Sequence, residues 1–141
     1  MSQLAEFVGN HPFLVVLFMA VLFLFLRSLY QDQSKAYKNV NVDQLTRLVN
    51  QQNAQLIDVR SKEEFNQGHI VNAINMPLAD IAEGKVKLDK LKKKPVVVYC
   101  QVGKTSLAAS QNLSQAGLEQ VFNLQGGLNA WISEKLPLTK A

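Results

Sequence analysis

The stretch PVVVYC, residues 95–100, constrains the fold more than any other part of this chain. Four consecutive apolar or aromatic residues run straight into a cysteine. A strand with one wet face alternates polar and apolar residues, because successive side chains point to opposite sides. Unbroken apolar character means that both faces are buried. That is the situation of a strand in the middle of a parallel sheet.

The neighbouring segments supply the partners. QLIDV (55–59) reads as a short buried strand, AINMP (73–77) as a second ended by Pro77, and QVFNL (120–124) as a fourth after PVVVYC. Helical patterns lie around and between them. Asp43 is placed to cap a short helix through about Asn50, with Leu45, Leu48 and Val49 as its apolar face. Ser61 with Glu63 and Glu64 marks another start, and Gly68 its stop. Residues 78–94 read as partly helical, broken by Gly84 and finishing in lysines. Ala109, Leu113 and Ala116 recur at helical spacing, which predicts a helix from Thr105 to Ala116 ended by Gly117. GGLNAWISEK gives a last helix. This alternation predicts an α/β fold with a mostly parallel central sheet flanked by helices.

The N-terminal part has a different character. Residues 13–26, FLVVLFMAVLFLFL, are fourteen uninterrupted apolar positions. With their flanks they predict one membrane-spanning helix over 12–30, Pro12 in its first turn and Tyr30 at headgroup level. A cleaved signal peptide would carry basic residues before the apolar run, and none precedes Arg27. A buried core helix would show a polar face, and this run has none. Arg27, Lys35 and Lys38 follow the span, which predicts a single pass with residues 1–11 outside and the C-terminal domain in the cytoplasm. Residues 31–40 read as a polar linker, and 41–141 as one globular domain.

A single cysteine excludes an internal disulfide framework, a CxxC dithiol and a cysteine-rich zinc site, and fits a reducing compartment. No set of His, Cys, Asp and Glu has metal-ligand spacing, and no cofactor is expected. The net charge of +4 owes much to the run from Lys85 to Lys94. That run has no interleaved aromatics, so nucleic-acid binding is not expected. It reads as a solvated face that anionic lipid would attract.

Ligand sites in parallel sheets form beyond the carboxyl ends of the strands. Cys100 sits at that edge, and the loop from Gln101 to Ser106 curls from it into a helix. Gly103 permits the backbone angles such a curl needs. Successive amides, the helix N-terminus and Lys104 would all stabilise an anion on sulfur. A phosphatase loop of the C-x5-R kind needs an arginine where this chain has Ser106, which argues against phosphate chemistry. Sulfur transfer needs only a thiolate that takes up a sulfane sulfur and yields it to a second nucleophile.

Three ordered signatures carry a resemblance over about residues 40–138. They are LIDVRSKEEFNQGHIVNAINMP, VVVYCQVGKTS with its C-x-x-G-x-x-S pattern, and VFNLQGGLNAW. Together they resemble the rhodanese family in its single-domain form, and the apolar N-terminus resembles the anchor of a membrane-tethered bacterial subgroup. The resemblance implies a sulfurtransferase at the bacterial inner membrane. In it Cys100 carries a persulfide, and Gln101, Val102, Gly103, Lys104, Thr105 and Ser106 cradle it. Asp58 and Arg60 brace the neighbouring loops. The implied partners are a sulfane-sulfur donor such as thiosulfate or a persulfide, a thiol, cyanide or protein acceptor, the lipid bilayer, and a membrane protein. Two departures stand out. Val71 and Asn72 replace a common Pro-Gly, and Lys104 is the only loop cation where many members have arginine. An alternative is a docking module without catalysis, its contacts made by the lysine run. His69 is expected to hydrogen-bond within its turn, Trp131 to pack in the core, and Gly126 and Gly127 to shape a turn.

Overall fold

A computed structural model describes residues 1–33 and 36–140. Ser34 and Lys35, within the stretch read as a linker, and Ala141 lie outside the described residues. The chain forms two compact units, one up to residue 35 and one from Ala36 onward.

The first unit is helical. Helix α1 covers Ser2–Asn10 and helix α2 covers Pro12–Gln33. Within α2 the 19 residues Pro12–Tyr30 are long and apolar enough to cross a bilayer. At 1.5 Å per residue they rise about 28 Å, close to the hydrocarbon thickness. None of that window is buried against protein.

The second unit is a five-stranded sheet, all of whose pairs are parallel. Its strands are β1 Lys38–Val40, β2 Gln55–Asp58, β3 Ile74–Asn75, β4 Val96–Tyr99 and β5 Val121–Leu124. Their order is β1-β5-β4-β2-β3, so β4 is central, with Val98 level with Ile57 of β2 and Asn123 of β5. Every residue of β4 is fully buried. Val97 and Tyr99 point into one core with Leu45 and Leu48, while Val96, Val98 and Cys100 point into the other with Ala109 and Leu113. The period of two is therefore intact in β4, although no polar residue marks it.

Two details at the start of this unit differ from the sequence reading. Lys38–Val40, inside the stretch read as a linker, forms the edge strand β1 on β5. It is short and polar, so nothing in its composition announces a strand. Helix α3, Val42–Gln52, is capped by Asn41 rather than Asp43. Asn41 and Gln44 form a reciprocal capping box, with bonds of 2.8 and 2.9 Å. Asp43 sits in the first turn, where its charge complements the helix dipole.

The remaining helices are α4 Lys62–Gln67, α5 Leu78–Ala82, α6 Thr105–Gln115 and α7 Gly127–Ser133. Ser61 caps α4 in a capping box with Glu64, and Gly68 ends it. The buried face of α6 is Ser106, Ala109, Ser110 and Leu113; Ala116 is exposed, contrary to the spacing argument.

Candidate active site

Cys100 follows β4 directly and is 3% exposed. Its chain then turns through the loop into α6. Gly103 has φ +88, which a side chain resists. A Cβ there would also lie 3.0 Å from the amide nitrogen of Gly126. The turn brings the amide of Gly103 to 3.1 Å from Cys100 Sγ and that of Ser106 to 3.4 Å. Ser106 Oγ lies 3.4 Å from the same sulfur. Burial pushes the thiol pKa up. The Ser106 hydroxyl and the amides of Ser106, Gly103 and Val102 outweigh it, so the net direction is down.

The back of the loop is fastened to α7. The amides of Leu128 and Asn129 donate to the carbonyls of Cys100 and Gln101 over 2.8 and 3.1 Å. Gly127 makes this approach possible: a Cβ there would collide with the Cys100 carbonyl oxygen and lie 2.8 Å from the Gln101 carbonyl. The glycine pair thus does more than shape a turn.

Asp58 and Arg60 form a buried pair beside the loop. Arg60 Nη2 donates to Asp58 Oδ2 over 2.7 Å and Nε to both carboxylate oxygens. Burial works against the guanidinium charge, but the bonds and the attraction of Asp58 outweigh it and raise its pKa. Nη2 also donates to the Gly68 carbonyl at 2.7 Å and Nη1 to Gln101 Oε1 at 3.2 Å. One side chain therefore ties β2, the end of α4 and the loop together.

A pocket of about 260 Å³ opens over the sulfur, lined by Val59, Arg60, Ser61, Glu64, Cys100, Gln101 and Thr105. Of the six loop residues singled out from sequence, Gln101 and Thr105 line it, while Gly103 and Ser106 reach the sulfur. The side chains of Val102 and Lys104 are exposed and outside the lining. His69 lies away from it. Its Nδ1 donates to the Phe65 carbonyl at 2.7 Å, its ring stacks on Phe65, and its backbone pairs with Thr139. Trp131 packs at the edge of the core and donates to the Pro137 carbonyl over 3.1 Å.

The rhodanese-like domain family matches residues 41–134. The chain belongs to that family. YibN, an uncharacterized protein of Escherichia coli K12, is 33% identical over 141 residues, covering 99% of each chain. Thiosulfate sulfurtransferase GlpE of Shewanella oneidensis is 34% identical over 98 residues, 68% of this chain and 93% of that one. The crystal structure of a rhodanese-related protein from Thermoplasma volcanium superposes with a TM-score of 0.63 at 31% identity, over 74% of this chain and 100% of that one.

The sequence reading missed three parts of this rhodanese-like site. Asn129 Oδ1 accepts from Gln101 Nε2 at 2.6 Å. Asn123, from β5, accepts from Ser106 Oγ at 2.5 Å. Ser110 Oγ donates to the Ser106 carbonyl at 2.7 Å. A buried polar residue in an otherwise apolar strand, Asn123 within VFNL, was the one signal available.

Proposed function

We propose that the chain is a membrane-anchored sulfurtransferase with Cys100 as its nucleophile. The observation that carries this reading is the convergence of the Gly103 and Ser106 amides on one buried sulfur beneath an open pocket. Such a cradle stabilises a thiolate, and equally a persulfide anion, without a metal or cofactor. The thiolate attacks the outer sulfur of a sulfane donor. The S–S bond of the donor breaks, and its electron pair leaves with sulfite when the donor is thiosulfate. An acceptor thiolate or cyanide then takes the outer sulfur, and Cys100 returns as a thiolate.

The apolar helix and the basic residues after it support a single pass with residues 1–11 outside and the catalytic domain in the cytoplasm of a bacterium. A second reading, a docking module, draws support from the pocket's one guanidinium. Arg60 is held by Asp58, and among the described residues no other cation lines the pocket to receive an anionic donor.

The deciding experiment is a thiosulfate:cyanide assay on the full chain in detergent, with Cys100→Ser beside it. Turnover by the parent alone, with a mass gain of about 32 Da on the cysteine for one added sulfur, is the expected result. Equal rates for the two chains, or no adduct with any sulfane donor, leave the docking module. Resistance of the chain to alkaline extraction from membranes tests the anchor.

A further inference from the structure

The hydroxyl of Ser106 has one proton and two neighbours that call for it. Its oxygen lies 2.5 Å from Asn123 Oδ1 and 3.4 Å from Cys100 Sγ. A carboxamide oxygen only accepts, so the proton points at Asn123 and the thiol must donate toward Ser106. Asn123 Nδ2 donates in turn to Asn39 Oδ1 over 3.1 Å. The chain of hydrogen bonds therefore runs outward from the sulfur, through Ser106 and Asn123, to Asn39 on the edge strand. That direction suits a protonated sulfur and fails an ionised one, which has nothing to donate.

Ser106 is 0% and Asn123 2% exposed, so water cannot substitute for either. Asn39 is exposed, and the far end of the chain meets solvent whichever way it runs. The oxygen and nitrogen of a carboxamide are nearly the same size, so half a turn about the terminal bond exchanges acceptor and donor without moving the backbone.

We propose that Asn123 is a positioning residue whose amide turns over when Cys100 ionises, so that the whole chain reverses and Ser106 donates to the sulfur anion. This rests on the reading of Cys100 as the nucleophile. In the reversed state Asn39 Nδ2 donates to Asn123 Oδ1, Asn123 Nδ2 donates to Ser106 Oγ, and the Ser106 hydroxyl donates to Sγ. No bond between heavy atoms forms or breaks. The thiol's proton leaves to solvent through the pocket. The charged groups facing the sulfur are Arg60 with its partner Asp58, and Glu64, across the pocket; its own loop carries Lys104. Helix α6, strand β5 and helix α7 contribute no charged residue. On that side only neutral dipoles answer the charge on sulfur, and the serine–asparagine chain is the one that can change sign.

The test works from the exposed end, where substitutions leave the core intact. Asn39→Asp offers only acceptors and holds Asn123 with its oxygen toward Ser106. Asn39→Lys offers only donors and holds it reversed. The rate of Cys100 alkylation by iodoacetamide is followed against pH on the full chain in detergent. About 1 M salt shortens the screening length to about 3 Å and suppresses the direct effect of the new charges. At neutral pH the lysine variant is expected to react roughly tenfold faster than the aspartate variant, one unit of thiol pKa. In a Ser106→Ala background the two are expected to react at the same rate. A ratio near one with Ser106 present, or the same ratio with and without it, overturns the proposal. Alkylation does not require sulfur transfer, so a parent chain that takes up no persulfide would remove the sulfurtransferase reading and leave this result standing.

Discussion

The amide of Leu128 donates to the carbonyl of Cys100 over 2.8 Å, so the helix after the glycine pair is fastened to the backbone of Cys100 itself. The contact depends on Gly127, whose φ of +59 and lack of a Cβ let two backbones meet. Gly127→Ala is expected to destabilise the fold by about 1–3 kcal/mol through backbone strain alone. Displacing the loop should also lower the rate of persulfide formation roughly tenfold to a hundredfold. Gly84→Ala is the control. It shares a positive φ of +70 but has no atom within 4 Å of the added Cβ, so it should cost stability and leave the rate unchanged. Equal rates for the two variants would mean that the loop does not depend on its seat against α7.

Asp58 and Arg60 predict a larger effect on stability. Asp58 is fully buried and Arg60 8% exposed. Removing one partner strands the other charge away from water. Asp58→Asn is expected to cost about 3–5 kcal/mol in chemical denaturation. A loss under about 1 kcal/mol would place the pair with weak surface bridges instead.

These residues also mark how much the sequence disclosed. The buried run of β4 and the helix start at Ser61 were legible, because burial and capping act through residue type at fixed spacing. The edge strand Lys38–Val40 was not. Three residues of mixed polarity have no period, and their only reason to be extended is the open edge of β5. Around the sulfur, Cys100, Gly103 and Ser106 were legible as a loop pattern. Asn123 and Asn129 were not tied to it, since they meet the loop only after the sheet and α7 are assembled. Lys104 shows the converse: its charge is plain in the sequence, yet its side chain is exposed and lines no part of the pocket.

That placement of Lys104 yields a prediction about the donor. A screened surface charge adds little to binding at physiological salt, so Lys104→Ala should change KM for thiosulfate by less than about twofold. Thr105 lines the pocket. Thr105→Arg puts a two-pronged donor over the cavity and should lower that KM about tenfold, with kcat less affected. If removing Lys104 alone raised KM tenfold, its side chain would have to fold over the pocket when the donor binds.

The thiol itself gives the last prediction, and its sign follows from four contributions. Burial raises the pKa, while the Ser106 hydroxyl and the amides of Ser106, Gly103 and Val102 lower it further than burial raises it. A lowered pKa means that at a given pH a larger share of Cys100 is ionised than the same thiol would be without these donors. Alkylation of the parent chain should therefore rise with pH and level off earlier than for a model thiol. Ser106→Ala removes the largest lowering contribution and leaves burial in place, so the plateau should move to higher pH and the rate at neutral pH should fall about tenfold. The same shift acts on folding. Because the anion is favoured in the folded chain, the thiol's contribution to stability is complete above the unfolded pKa and is lost as pH falls through the lowered one. The parent should gain stability over Ser106→Ala as pH rises through that window. An alkylation profile that matches a model thiol, or one that Ser106→Ala leaves in place, would mean that the hydroxyl and amides do not hold charge on the sulfur.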